Sequence, residues 1–205
     1  MKKPFVFCGA LFIVFLLAFN AMAISLDGDL SYVLGQSDGF TGGSHKMGGV
    51  LVNADVEIFP QVLADGFFLS SDSSGEGEEK FSVQILAGGA KYRLDIDSEL
   101  DVFLGAGWSN FEIKSESNPN SGSGFYGKLG LKFEFDPQIR LVGDLNYAPK
   151  FRFEDQNGTF LSGRATLSYD VFEGIGIQGT IGRYRANADK SLSGTFYGGG
   201  VTFKF

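Results

Sequence analysis

From about residue 24 to the last residue, apolar side chains recur at every second position. Successive side chains of a β-strand point to opposite faces, so this period predicts strands with one apolar and one polar face. Ile24, Leu26, Leu30, Tyr32 and Leu34 alternate with Ser25, Asp27, Asp29 and Ser31. Val50, Val52, Ala54, Val56 and Ile58 alternate with Asn53, Asp55 and Glu57. The pattern returns at Leu100–Trp108, Phe125–Phe135, Ile139–Tyr147, Leu161–Val171, Ile175–Ile181 and Tyr197–Phe205. With 30 glycines and no long stretch of helical period in this part, a helical protein is excluded.

Two segments hold the pattern less well. In 79–94, Phe81, Val83 and Ile85 share one phase and Ala90, Tyr92 and Leu94 the other. A bulge at Gly88-Gly89 is the expected cause. Residues 62–70, "VLADGFFLS", keep no single phase, and are read as a strand because their neighbours need a return path. Connections alternate in length. Those near Phe59-Pro60, Asp95–Ser98, Asp136–Gln138 and Phe172–Gly174 are tight, whereas 35–46, 71–78, 114–123, 151–158 and 187–191 are longer and polar. In an up-and-down meander, all long loops then lie at one end. Outer-membrane barrels have this asymmetry. The fold expected is all-β: an antiparallel, up-and-down transmembrane β-barrel of ten strands, or of eight if 62–70 is not a membrane strand.

A soluble lipocalin-like barrel also alternates, with its apolar face inward. Three features favour the membrane. The polar face carries Lys128, Lys132, Glu134, Arg140, Asp144 and Arg164 on three consecutive strands, and such groups can pair inside a narrow lumen. The apolar face carries aromatic rings near strand ends, as interfacial girdles do. Strand lengths suit a tilted span. Residues 1–23, "MKKPFVFCGALFIVFLLAFNAMA", place two lysines before an apolar run and small residues at 21 and 23. That is the pattern of a secretory signal peptide cleaved after Ala23, leaving 24–205 as the barrel. The single cysteine, Cys8, leaves with it, so no disulfide holds the barrel. A net charge of −7 with no basic stripe argues against nucleic-acid binding.

The chain's end resembles the C-terminal signal of outer-membrane barrels, with Tyr197, Val201, Phe203 and Phe205 at alternate positions. As a whole the chain resembles the small outer-membrane barrels that include the OmpA transmembrane domain and OmpX. A narrower resemblance, to the YfaZ family, rests on "RLVGDLNYAPKF" at 140–151, "GRATLSYDVFEGIGIQGTIGRYR" at 163–185 and the terminal strand. These resemblances imply an outer-membrane location. They also imply the barrel-assembly machinery and periplasmic chaperones as partners during biogenesis. Lipids and lipopolysaccharide are the expected surroundings of the finished barrel, which is expected to be a monomer without a cofactor.

Little in the sequence points to catalysis. His45, Asp72 and Ser73 fall on the first two long loops, and palmitoyl-transferring outer-membrane barrels carry such a set on a similar scaffold. The amphipathic helix that precedes those barrels is missing, and polar loops beside one ordinary histidine are the simpler reading. Omptin-type proteolysis is disfavoured, since those barrels are longer and need several acidic partners for their histidine. Glu76, Glu78 and Glu79 form an acidic run that suits a divalent cation or simply a solvated loop. Arg183 and Arg185 flank Tyr184 near the outer end of their strand. They are placed to meet lipopolysaccharide phosphates, unless a bulge at Gly182 turns them into the lumen. The expected role is structural or surface-interacting, with a salt-bridged, side-chain-filled interior. A narrow channel for ions or small solutes is the alternative, and a lipid-modifying enzyme the second alternative.

Overall fold

A computed structural model describes residues 25–39, 44–73, 81–115, 120–153, 156–188 and 191–205. The signal-peptide segment, its cleavage after Ala23 and the acidic run Glu76, Glu78 and Glu79 lie outside the described residues. Ten strands follow one another: β1 (Leu26–Gly39), β2 (Ser44–Phe59), β3 (Val62–Ser73), β4 (Phe81–Asp95), β5 (Leu100–Ser115), β6 (Asn120–Asp136), β7 (Ile139–Phe153), β8 (Gln156–Phe172), β9 (Ile175–Asn187) and β10 (Ser191–Lys204). Each pairs antiparallel with the next, and β10 returns to β1, closing the barrel. Leu26 and Phe205 exchange backbone hydrogen bonds of 2.9 Å in both directions at this seam. Closure leaves no strand edge unpaired, which a lipid environment demands.

The tight turns cluster at one end, called here the turn end, and the longer connections at the other, the loop end. Asp97 and Asp136 shape two of the tight turns. Asp97 Oδ1 accepts the N–H groups of Glu99 and Leu100, both at 2.8 Å, and Asp136 Oδ1 accepts those of Gln138 at 2.6 Å and Ile139 at 3.0 Å. Such local side-chain acceptors stand in for the missing ladder bonds. In a third turn Gly174 takes a positive φ of 77°, which costs glycine nothing.

Residues of the apolar phase point outward nearly all round the wall. Tyr32, Trp108, Phe125, Leu129, Ile181 and Tyr197 are exposed, Phe125 by 74%. So wide an exposed apolar belt is untenable in water and suits hydrocarbon.

The structure corrects two details of the alternation. β4 has no bulge at Gly88-Gly89, because its register with β3 and β5 runs unbroken through both glycines. Phe81, Val83 and Ile85 point into the lumen, whereas Ala90, Tyr92 and Leu94 point outward. The backbone phase never changes; what changes is which face is apolar. Likewise, the segment without a clear phase is the regular strand β3. Leu63, Asp65, Phe67, Leu69 and Ser71 face inward there, alternating with Val62, Ala64, Phe68 and Ser70. Both faces of β3 carry apolar residues, so no hydrophobic period stands out, and the barrel has ten strands, not eight.

Candidate functional site

The lumen divides across its axis into two unlike halves. The half toward the turn end is ionic. Lys128 on β6 reaches across to Asp65 on β3, and both side chains are buried, at 6% and 1% exposure. Arg164 on β8 holds Asp144 on β7 through Nε at 3.1 Å and Nη2 at 3.0 Å, and its Nη1 lies 3.4 Å from Asp29 on β1. Lys91 meets Asp55 at 2.7 Å, Arg140 meets Asp170 at 2.8 Å, and Lys132 meets Glu134 at 2.7 Å. Gln178 donates to Asp29 at 3.2 Å and to Ser31 at 2.7 Å. Burying any of these charges alone would cost several kcal/mol, so each comes with a counter-charge. A cavity of about 100 Å³ remains among Asp27, Asp55, Lys91, Arg140 and Gln178, and it continues toward the turn end past Asp101 and Lys132.

All six charges expected in the lumen, Lys128, Lys132, Glu134, Arg140, Asp144 and Arg164, therefore face inward. The expectation confined the network to β6, β7 and β8. In the structure it spans the lumen and recruits Asp29, Asp55, Asp65, Lys91 and Asp170. Asp65 could be given no face, and Lys91 was missed, because they sit on β3 and β4, the strands whose phase is obscured. Fixing those strands by pairing with their clear neighbours would have turned both residues inward.

The half toward the loop end is apolar, which departs from the polar interior expected throughout. Phe81, Phe111, Phe151, Phe153, Phe160 and Phe196 fill it together with Tyr184 and aliphatic residues such as Leu51, Val83 and Ile113. Phe111 lies at the centre, 5.7 Å from Phe160, 6.0 Å from Tyr184 and 6.4 Å from Phe153 between ring centroids. Two glycines make room. On the paired strands β9 and β10, Tyr184 faces Gly194 and Phe196 faces Gly182. A Cβ on Gly194 would lie 2.3 Å from the Tyr184 ring, and one on Gly182 would lie 2.2 Å from that of Phe196. The rings lie flat over bare backbone, and the crevice left beside them is only about 10 Å³. At the seam between the halves the Arg164 guanidinium sits 5.7 Å over the Phe67 ring, an arrangement that favours a cation on an aromatic face.

The remaining candidates are scattered. His45 points inward and stacks on Phe81 at 5.6 Å. Ser73 faces the same side and accepts the Phe81 N–H at 3.0 Å. Asp72, its neighbour along β3, is exposed on the outer face, so the three do not converge. Arg183 and Arg185 point outward at the loop end of β9. No bulge intervenes at Gly182, since the register with β8 and β10 continues through it. Tyr197 and Val201 are exposed on the outer face of β10, and Phe205, just past its end, is exposed too. Phe203 covers Gly28, where a Cβ would lie 2.3 Å from its ring.

This closed wall of ten antiparallel strands, with its outer apolar belt and loops gathered at one end, has counterparts. The sequence matches the outer membrane protein β-barrel domain over residues 10–205. The chain belongs to that family. Its members and fold place it in the outer membrane. Among solved structures, this outer-membrane barrel is similar to the outer membrane protease OmpT of Escherichia coli, at a TM-score of 0.58 and 10% identity, covering 89% of this chain and 96% of that one. It is also similar to neisserial surface protein A, NspA, at a TM-score of 0.50 and 13% identity, covering 89% of this chain and 97% of that one. At such identities the likeness is one of fold. No curated protein sequence matches the chain significantly.

Proposed function

We propose that this barrel is a closed surface element of the outer membrane, sealed to solutes along its axis and acting through its loops and outer rim. The observation that carries the reading is the loop-end half of the lumen. Its rings are buried to within a few per cent, Phe111, Phe151 and Phe160 almost completely. Such a layer offers an ion neither water nor a counter-charge. The signal-peptide pattern and the terminal Tyr197, Val201, Phe203 and Phe205 support export and delivery to the assembly machinery. Loops then face outward and tight turns face the periplasm. Arg183 and Arg185 stand above the lipid-facing belt at the level where lipopolysaccharide phosphates lie. NspA, similar in fold, is by its name a surface protein.

One observation favours a second reading, a narrow channel. The cavity of about 100 Å³ at the turn end is polar and continues toward the periplasmic mouth, as the inner half of a pathway would. Planar bilayers containing the refolded barrel decide between them. Its folded state is checked first by the change in gel mobility on boiling. The sealed reading expects current to stay at baseline across a range of voltages. Discrete conductance steps from wild-type protein would replace it with the channel reading.

A further inference from the structure

On the outer face at the loop end, β5, β6 and β7 enclose a groove of about 200 Å³ lined by Asn110, Ser121, Gly122, Ser123 and Arg152. The backbone makes it. The β6–β7 ladder breaks between the Ser123–Arg152 pair and the Gly127–Tyr147 pair, where β7 carries an extra residue beside Pro149. Proline has no N–H for the ladder, so a bulge is where a strand tolerates it. Beyond the bulge Phe151 and Phe153 turn into the lumen, and Arg152 between them turns out. Asn110, Ser123, Arg152 and Asn157 then form one row across four strands, each paired with the next.

The row's height gives it meaning. Directly below it Trp108 and Phe125 are paired and meet edge to face at 4.8 Å, with Tyr147 beside them. Exposed Trp and Tyr rings mark the boundary between hydrocarbon and headgroups. The groove is therefore at headgroup level. Its lining offers a guanidinium, two hydroxyls and a side-chain amide, and no carboxylate. The nearest acid along β5, Glu112, is engaged by Lys114 at 3.5 Å. Among the described residues at the loop end, the exposed charges of β6–β10 are Lys150, Arg152, Arg183 and Arg185, all cationic, whereas β1–β5 carry both signs.

We infer that this groove is a binding site for a phosphate group borne by an outer-leaflet lipid, with Arg152 as its anchor and Ser121, Ser123 and Asn110 as further donors. Guanidinium binds phosphate through two parallel N–H donors, and hydroxyls and amides complete the oxygen shell. The acyl chains of such a lipid would lie against Trp108, Phe125 and Leu129. The inference shares with the Arg183–Arg185 reading only the headgroup-level placement of the loop end, and the residues are different.

The test uses the refolded full barrel in detergent, titrated with diphosphorylated lipid A and followed by native mass spectrometry. Wild type is expected to take up the lipid, and a dephosphorylated form of the same lipid is expected not to bind. Arg152→Gln should weaken the complex about tenfold, the worth of one charge-assisted contact. The substitution lies on the exposed face, and an unchanged heat shift in gel mobility verifies the fold. Arg183→Gln with Arg185→Gln should leave the Arg152-dependent complex in place. Unaltered binding by Arg152→Gln, equal binding of the dephosphorylated lipid, no binding by wild type, or displacement by equimolar inorganic phosphate would each overturn the inference. If only the Arg183 and Arg185 changes weaken binding, the groove is refuted and the rim reading stands. If they have no effect while Arg152→Gln does, the groove stands and the rim reading falls.

Discussion

The two halves of the lumen are lined by the same ten strands through the same alternating positions, yet they are filled by opposite chemistries. Toward the turn end, Lys128–Asp65, Lys91–Asp55 and Arg164–Asp144 neutralise one another and leave a polar cavity. Toward the loop end, rings pack with almost no space. Ion pairs fill a lumen with directional contacts and tolerate water between them. Rings fill it by volume alone and tolerate none. The sealed barrel proposed above would use both, rings to close one mouth and ion pairs to leave the other open to water.

The difference predicts unlike responses to truncation. Asp65→Ala leaves Lys128 charged in a buried site and should cost about 3–5 kcal/mol. Asp65→Leu combined with Lys128→Met should recover most of that loss, because buried pairs are often replaced by apolar groups at little cost. Phe111→Ala should also cost about 3–5 kcal/mol, but no second polar change nearby should restore it. Urea unfolding of the refolded barrel, followed by Trp108, the chain's only tryptophan, reads all three. A double variant no better than Asp65→Ala alone would show that the ionic half stabilises by more than mutual neutralisation.

This same contrast explains what could be read in advance. Where the lumen is ionic, lipid-facing and lumen-facing residues differ sharply. The inward phase of β6, β7 and β8 was plain from Lys128, Asp144 and Arg164. Where the lumen is apolar, both faces of a strand attract the same residue types. On β4 the border between the halves looked like a slipped register at Gly88-Gly89, and on β3 Phe67 and Phe68 cancelled each other's signal. The phase change on β4 was a true signal of the lumen's changing polarity, attributed to the backbone. The groove at Arg152 was not legible, because it depends on the bulge beside Pro149 and on the pairing of Asn110, Ser123 and Arg152 across three strands. Alternation within one strand carries no information about such a row.

A gentler probe of the apolar half is its glycines. Gly194→Ala places a methyl 2.3 Å from the Tyr184 ring, which must then move toward Phe111 and away from Ser37, to which its hydroxyl donates at 3.3 Å. Overpacking of this kind costs about 1–3 kcal/mol. The matching change in the other half, Gly130→Ala, meets its nearest atom at 3.4 Å beside the charge-lined cavity and should cost less. Equal losses, measured by the same urea unfolding, would mean that the two halves are packed alike after all.

The smallest effect is expected where the ionic half meets solvent. Lys132 and Glu134 lie two apart on β6, with side chains 19% and 35% exposed, and their contact is 2.7 Å. The distance resembles that of Lys91–Asp55, but the setting differs. Near the turn end, water already solvates both groups, so desolvation is small and so is the attraction, which counter-ions screen further. Losing Lys132 would leave Glu134 in reach of water, with no buried charge stranded. Lys132→Ala should therefore change the unfolding free energy by about 0–1 kcal/mol, and that change should shrink further in molar salt. The loss in Asp65→Ala should persist there, because salt reaches a site at 1% exposure poorly. A Lys132→Ala loss as large as that of Asp65→Ala, or one insensitive to salt, would extend the dry ionic layer to the turn end itself. The cavity there would then have to be an enclosed chamber and not an open vestibule.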